Sequence, residues 1–179
     1  MKALGDGDSA RAVSELQKAV EIYPSYYAAR LALGRELRLK KRFREAEEVL
    51  GPLVRLAPGR VDPHIEYGIV LLELKRRGEA VGELQKALQL SEANWAAHLY
   101  AGWALLETEG ERAAHHFRRS LELDERKAAR AHLALARLAH ERGERQVAVE
   151  HLKAYLSLAP DAPDAEATRR LAEQLQSPD

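Results

Sequence analysis

Apolar residues recur every three and four positions along nearly all of this 179-residue chain. That spacing puts them on one face of an amphipathic helix. The pattern predicts a helical stub over 1–4 and ten full helices, over 8–22, 26–40, 43–56, 61–76, 79–90, 94–108, 111–122, 126–141, 144–158 and 163–176. Breakers separate them. Gly5/Gly7, Gly78, Gly110 and Gly143 mark one set of turns, and Pro24, Pro58 and Pro160 mark another. Asp62–Pro63 reads as an N-cap followed by a first helical residue, and Ser25, Ser91 and Asp161 are further cap candidates. Pro52 lies inside a predicted helix, where it removes a hydrogen bond and predicts a kink.

The helices repeat. SELQKAVEI at 14–22 and GELQKALQL at 82–90 share the run ELQKA, 68 residues apart, and a copy of the pattern lies half-way between. Leu16, Leu50 and Leu84 are spaced by 34, as are Ala12, Ala46 and Ala80. Gly34, Gly68, Gly102 and Ala136 follow the same period in the preceding helix. Glycine within a helix costs about 0.5–1 kcal/mol relative to alanine. Three such glycines in one phase need a packing reason: a missing side chain lets the second helix of each unit approach closely.

Each unit reads as a first signature followed by a second. Arg30-x-x-Leu33-Gly34-x-x-Leu37 precedes Ala46-x-x-x-Leu50…Pro58, and His64-x-x-Tyr67-Gly68-x-x-Leu71 precedes Ala80-x-x-x-Leu84…Glu92. His98-x-x-Ala101-Gly102-x-x-Leu105 precedes Ala113-x-x-x-Phe117…Glu125, and His132-x-x-Leu135-Ala136-x-x-Ala139 precedes Ala148-x-x-x-Leu152…Pro160. This resembles the tetratricopeptide repeat, whose pattern is W-x-x-L-G-x-x-Y…A-x-x-x-F…P over about 34 residues. No unit has Trp at the first signature position, and two lack the closing Pro. The Ala113 helix starts one residue early, and an extra residue near Asp124–Ala128 restores the phase.

The resemblance implies an all-α, right-handed α-solenoid of helix-turn-helix repeats with a C-terminal capping helix. Its expected span is a single array over 1–179: a partial repeat at 1–26, full repeats at 27–60, 61–94, 95–127 and 128–162, and a cap at 163–176. Met1 falls at the ninth position of a first helix, leaving Ala12, Leu16 and Ala19 short of cover. The expectation is an array that continues upstream, or another molecule that supplies the cover. In the cap, Ala165, Thr168, Leu171, Ala172 and Leu175 form an apolar stripe, and Glu166, Arg169, Arg170 and Glu173 a polar one.

Composition narrows the partner. Lys+Arg and Asp+Glu number 28 each, which argues against nucleic acid or an anionic membrane as the ligand, since both call for a basic excess. Without cysteine there is neither a disulfide nor a thiolate metal site, and the redox compartment is left open. The opening MKALGDGDSA lacks the apolar core of a signal peptide, and no apolar run reaches the about 18 residues of a membrane span.

Candidate chemistry is sparse. His64, His98 and His132 share one slot of the repeat, too far apart between units for easy joint coordination of zinc, so packing is the expected role. His115 and His116 point about 100° apart on one helix, and His140–Glu141 lacks the second His of a zinc-protease helix. The GDGDS run at 5–9 has Ala10, Arg11 and Gln17 where a calcium loop needs Asp or Asn, Gly and Glu. No phosphate loop or nucleophile elbow is present. No cofactor, no metal and no catalysis are expected.

In proteins this sequence resembles, the stripe beside the core-facing positions of each first helix lines a concave face that grips a peptide or a partner helix. Here that stripe holds Arg35, Arg38, Glu66, Ile69, Tyr100, Trp103, Arg130 and Arg137. An apolar centre of Ile69, Tyr100 and Trp103 flanked by arginines suits a segment with apolar or aromatic side chains and acidic flanks. The competing reading packs Tyr100 and Trp103 against a neighbouring helix. The Lys, Asn and Arg set that clamps a chaperone's C-terminal carboxylate and the Asn ladder of sugar-transferase adaptors are both absent. The implied function is a scaffold or adaptor. The alternatives are the partner-recruiting part of a larger enzyme or of a secretion or assembly machine, and self-association through the incomplete N-terminal repeat.

Overall fold

A computed structural model describes residues 3–176. Among the described residues there are ten α-helices and no strand: α1 (Ala3–Ile22), α2 (Tyr27–Leu39), α3 (Phe43–Leu56), α4 (Val61–Glu73), α5 (Arg77–Leu90), α6 (Trp95–Leu105), α7 (Gly110–Asp124), α8 (Ala131–Glu141), α9 (Arg145–Leu158) and α10 (Ala165–Gln176). They form two compact units that divide between Glu92 and Ala93. In the first, α1 to α5 each pack on the next, and α2 also touches α4. In the second, α6 to α10 do the same. Short connections fold each helix back on its predecessor, so both units are stacks of helical hairpins. This is the expected all-α solenoid class. No helix of the described residues is long and apolar enough to cross a membrane.

The seam inside each hairpin explains the repeat. A Cβ at Gly34 would lie 2.5 Å from the Leu50 side chain, one at Gly68 2.8 Å from Leu84, and one at Gly102 2.6 Å from Phe117. The glycine is the hole, and the large residue of the following helix is the knob. Ala46, Ala80, Ala113 and Ala148 are fully buried and let the backbones close up. In the first unit Val13, Leu31, Leu33, Leu37, Leu50, Leu53 and Val70 build the core. In the second, Ala136, Ala139, Ala148, Leu152 and Ala172 join α8, α9 and α10.

Several local expectations are corrected. The stub over 1–4 and the turn at Gly5/Gly7 are replaced by continuous helix from Ala3; Met1 and Lys2 lie outside the described residues. Gly78 sits in the first turn of α5 and Gly110 begins α7, so neither makes the turn. The left-handed turn residue is Lys41 (φ 60°), Lys75 (φ 64°) or Gly143 (φ 77°). At each, two N–H groups return to the preceding helix: Lys75 to the Leu72 carbonyl at 3.0 Å, and Arg76 to Leu71 at 2.9 Å. These bonds satisfy carbonyls that the helix end leaves open. α2 and α4 start without a side-chain cap at Tyr26 and Arg60, whereas the Asn94 side chain caps α6 by accepting from the Ala97 N–H at 2.9 Å. α3 continues for a full turn past Pro52.

Candidate partner-binding surface

The residues expected to line the binding stripe divide between the two units. In the first, Arg35 and Arg38 stand one turn apart on α2, facing Glu66 on α4. Glu66 is buried. Its Oε1 accepts from Arg35 Nε at 2.7 Å and its Oε2 from Arg38 Nε at 2.9 Å. Asp62 lies 3.6 Å from Arg35. Both arginines thus already have carboxylate partners within the fold. The reason is the register: position 6 of one first helix meets positions 9 and 12 of the one before. Ile69, expected as an apolar anchor, is only 5% exposed and belongs to the interior.

In the second unit, α6 carries Tyr100 and Trp103, both half-buried. Trp103 stands edge-on to Phe117, with ring centroids 5.3 Å apart and planes at 74°. It packs on the neighbouring helix and still reaches the surface. Glu107, one turn beyond Trp103, accepts from Arg137 Nη1 at 2.8 Å, and Glu141 accepts from Arg137 Nε at 2.8 Å. These two carboxylates hold the Arg137 guanidinium more firmly protonated than usual, so it too is engaged within the fold. Arg130 is different: it is exposed at the start of α8 and makes no ion pair among the described residues.

Two hollows adjoin α8. One, of 510 Å³, lies between the α7–α8 and α9–α10 turns and is lined by Arg126, Lys127, Arg130, Tyr155 and Asp164. Tyr155 donates its hydroxyl to Asp164, and burial, then this carboxylate, pushes its pKa up to about 12. The other, of 330 Å³, is almost wholly apolar, with Leu133, Ala136, Leu152, Leu171 and Leu175 as its walls and Arg137 and His140 at its rim. The first unit has a wider hollow of 780 Å³ between α3 and α5, opened by the bare backbones of Gly51 and Gly82. Its carboxylates are already engaged: Glu83 by His64 and Lys86, Glu79 by Arg76.

The shared histidine slot holds partners that the sequence reading missed. His64 Nδ1 meets Glu83 at 2.7 Å, whereas His98 Nδ1 meets His116 Nδ1 at 2.9 Å and His132 Nδ1 meets His151 Nδ1 at 2.9 Å. In an imidazole pair one ring donates and the other must accept, so one of the two stays neutral. Burial and His98 push His116 down to about 4. Burial lowers His132 as well, and burial together with His132 lowers His151. The signal was available: Glu83, His116 and His151 each stand three residues after the small Ala of their helix. Among the described residues no three His, Asp or Glu side chains converge as a metal would require.

Family models for the tetratricopeptide repeat match residues 3–66 and 108–163. Among solved structures, a thermophilic tetratricopeptide-repeat protein of Thermus thermophilus superposes with a TM-score of 0.79 at 20% identity, over 96% of this chain and 93% of the other. MamA from Desulfovibrio magneticus RS-1 gives 0.73 at 19% identity, over 90% and 92%. YrrB, described as a tetratricopeptide-repeat protein with an unusual peptide-binding site, gives 0.68 at 23% identity, over 93% and 86%. No curated protein matches the chain significantly. With the glycine-and-knob seam repeated in register and two family models on either side of the middle, the chain belongs to the tetratricopeptide-repeat family.

Proposed function

We propose that this chain is a protein-interaction scaffold or adaptor that holds a peptide segment or partner helix on the α6–α8 face of its second unit, with no catalytic step. A tetratricopeptide-repeat fold suggests protein–protein interaction, and the peptide-binding site ascribed to YrrB fits a peptide as the ligand class. One observation carries the finer reading. Trp103 is propped edge-on by Phe117, one turn from the Glu107 carboxylate that holds Arg137. A large amphipathic ring fixed in place by its neighbours is the kind of anchor that dominates interface energies. Because its support is preformed, little ordering is needed on this side of the complex.

Trp103→Ala is the test. Affinity for the native partner, measured at a temperature where the variant is fully folded, should fall by about 2 kcal/mol, roughly thirtyfold. An unchanged affinity removes Trp103 from the site and this face from the function.

A further inference from the structure

The two hollows lie at successive heights beside α9, one among the α7–α8 and α9–α10 turns and the other between α8 and α10. The lining runs from Arg130, the residue just before α8, to Leu133 and Ala136 within it. It runs likewise from Asp164, just before α10, to Leu171 and Leu175 within it, and along α9 it runs backwards, from Tyr155 to Leu152. α8 and α10 are therefore parallel walls of one seam, with α9 as its floor. One end is basic and the other apolar.

We propose that this seam is a bipartite docking site for an extended peptide that carries a carboxylate about three residues from a leucine-sized apolar side chain. The inference rests on the adaptor reading and names the ligand class. At the basic end Arg126 and Arg130 are exposed and without an ion pair among the described residues, Lys127 is tied to Asp124 at 3.0 Å, and Asp164 is the single carboxylate of the lining. Tyr155 orients that carboxylate by donating to it, and with two guanidinium groups beside this one acid the hollow keeps a positive excess that suits a carboxylate from outside. At the apolar end Leu171 is 44% exposed although its neighbours Thr168 and Ala172 are buried. The cap stripe thus covers α9 and leaves one leucine on the lip of an apolar 330 Å³ cleft with ample room for an aliphatic side chain. Six residues separate Arg130 from Ala136, about 9 Å along a helix. An extended peptide covers that distance in about three residues.

Fluorescein-labelled peptides with a Glu-Glu pair set at varied distances before or after a single Leu test this on the whole chain. Affinity should peak near a three-residue offset and fall at least about tenfold in Arg130→Glu and again in Leu171→Glu. Both side chains are exposed, so both variants should fold, which circular dichroism checks. Binding that ignores the offset, or that survives both substitutions, overturns the seam. If it survives both and is lost in Trp103→Ala, the adaptor reading stands without the seam. If no probe binds, and sedimentation shows a dimer that Leu171→Glu dissolves, the occupant is a second copy and the proposal fails.

Discussion

The backbone of Gly102 sits against the ring of Phe117 so closely that a Cβ would lie 2.6 Å from the ring edge. A planar ring in a fully buried site cannot move aside cheaply, since the interior has no spare volume. Gly102→Ala should therefore destabilise the second unit by about 2 kcal/mol, although alanine is the better helix former. Gly82, also helical, has nothing within 4 Å of a built Cβ. Gly82→Ala should instead stabilise by about 0.5–1 kcal/mol. Thermal melts of the two variants should move in opposite directions.

Lys75 and Gly143 occupy the same kind of helix-ending turn, one with a side chain and one without. A left-handed backbone costs a non-glycine residue about 1 kcal/mol. Lys75→Gly should recover about that much, and Gly143→Ala should lose about that much. Gly143 has open space around a built Cβ, so its loss would be backbone strain alone. Denaturant midpoints check both.

The imidazole pairs make a pH prediction. His116, His132 and His151 all have folded pKa values below the ordinary histidine value, His116 about 4. The unfolded chain then binds more protons than the folded one below about pH 6.5. The contribution is present above that pH and is lost as the pH falls towards 4. The His116 ring is partly solvated, so it should account for only about 1 kcal/mol of the loss. In the first unit the same slot sets His64 against Glu83 and holds no imidazole pair. Hydrogen exchange at pH 7 and pH 4.5 should show the second unit loosening first. His116→Gln, which can still bond His98, should flatten that dependence.

Glu66 ties Arg35 and Arg38 together from a buried position. Glu66→Ala leaves two guanidinium groups facing each other, partly exposed, and should cost about 1–2 kcal/mol. Added salt should shrink the difference. Equal stability of the two proteins at low salt would show that the pair contributes nothing.

The period of 34 made the hairpins legible because Gly34, Gly68 and Gly102 each face a large apolar side chain at the equivalent place of the next helix, Leu50, Leu84 and Phe117. Surface electrostatics were not legible in the same way. Whether Arg35 is free depends on how far one first helix is rotated against the next, and no spacing within a single helix encodes that angle. Gly143 is the turn residue its place between helices predicts, whereas Gly78 misled because the left-handed residue falls three places before it, at Lys75, where only backbone hydrogen bonds reveal it. Trp103 was legible as a binding candidate and as a packing candidate; the structure shows the packing, on Phe117, and leaves the ring half-exposed. The open seam beside Leu171 was hidden because the cap stripe reads as uniformly apolar, whichever of its residues finds a partner.

The most direct measurement places a photo-crosslinking amino acid at Trp103, and separately at Arg118 on the exposed side of α7, in cells that make the protein. A partner peptide crosslinked from position 103 and absent from position 118 is the predicted result. Crosslinking from position 118 with none from position 103 would contradict the account.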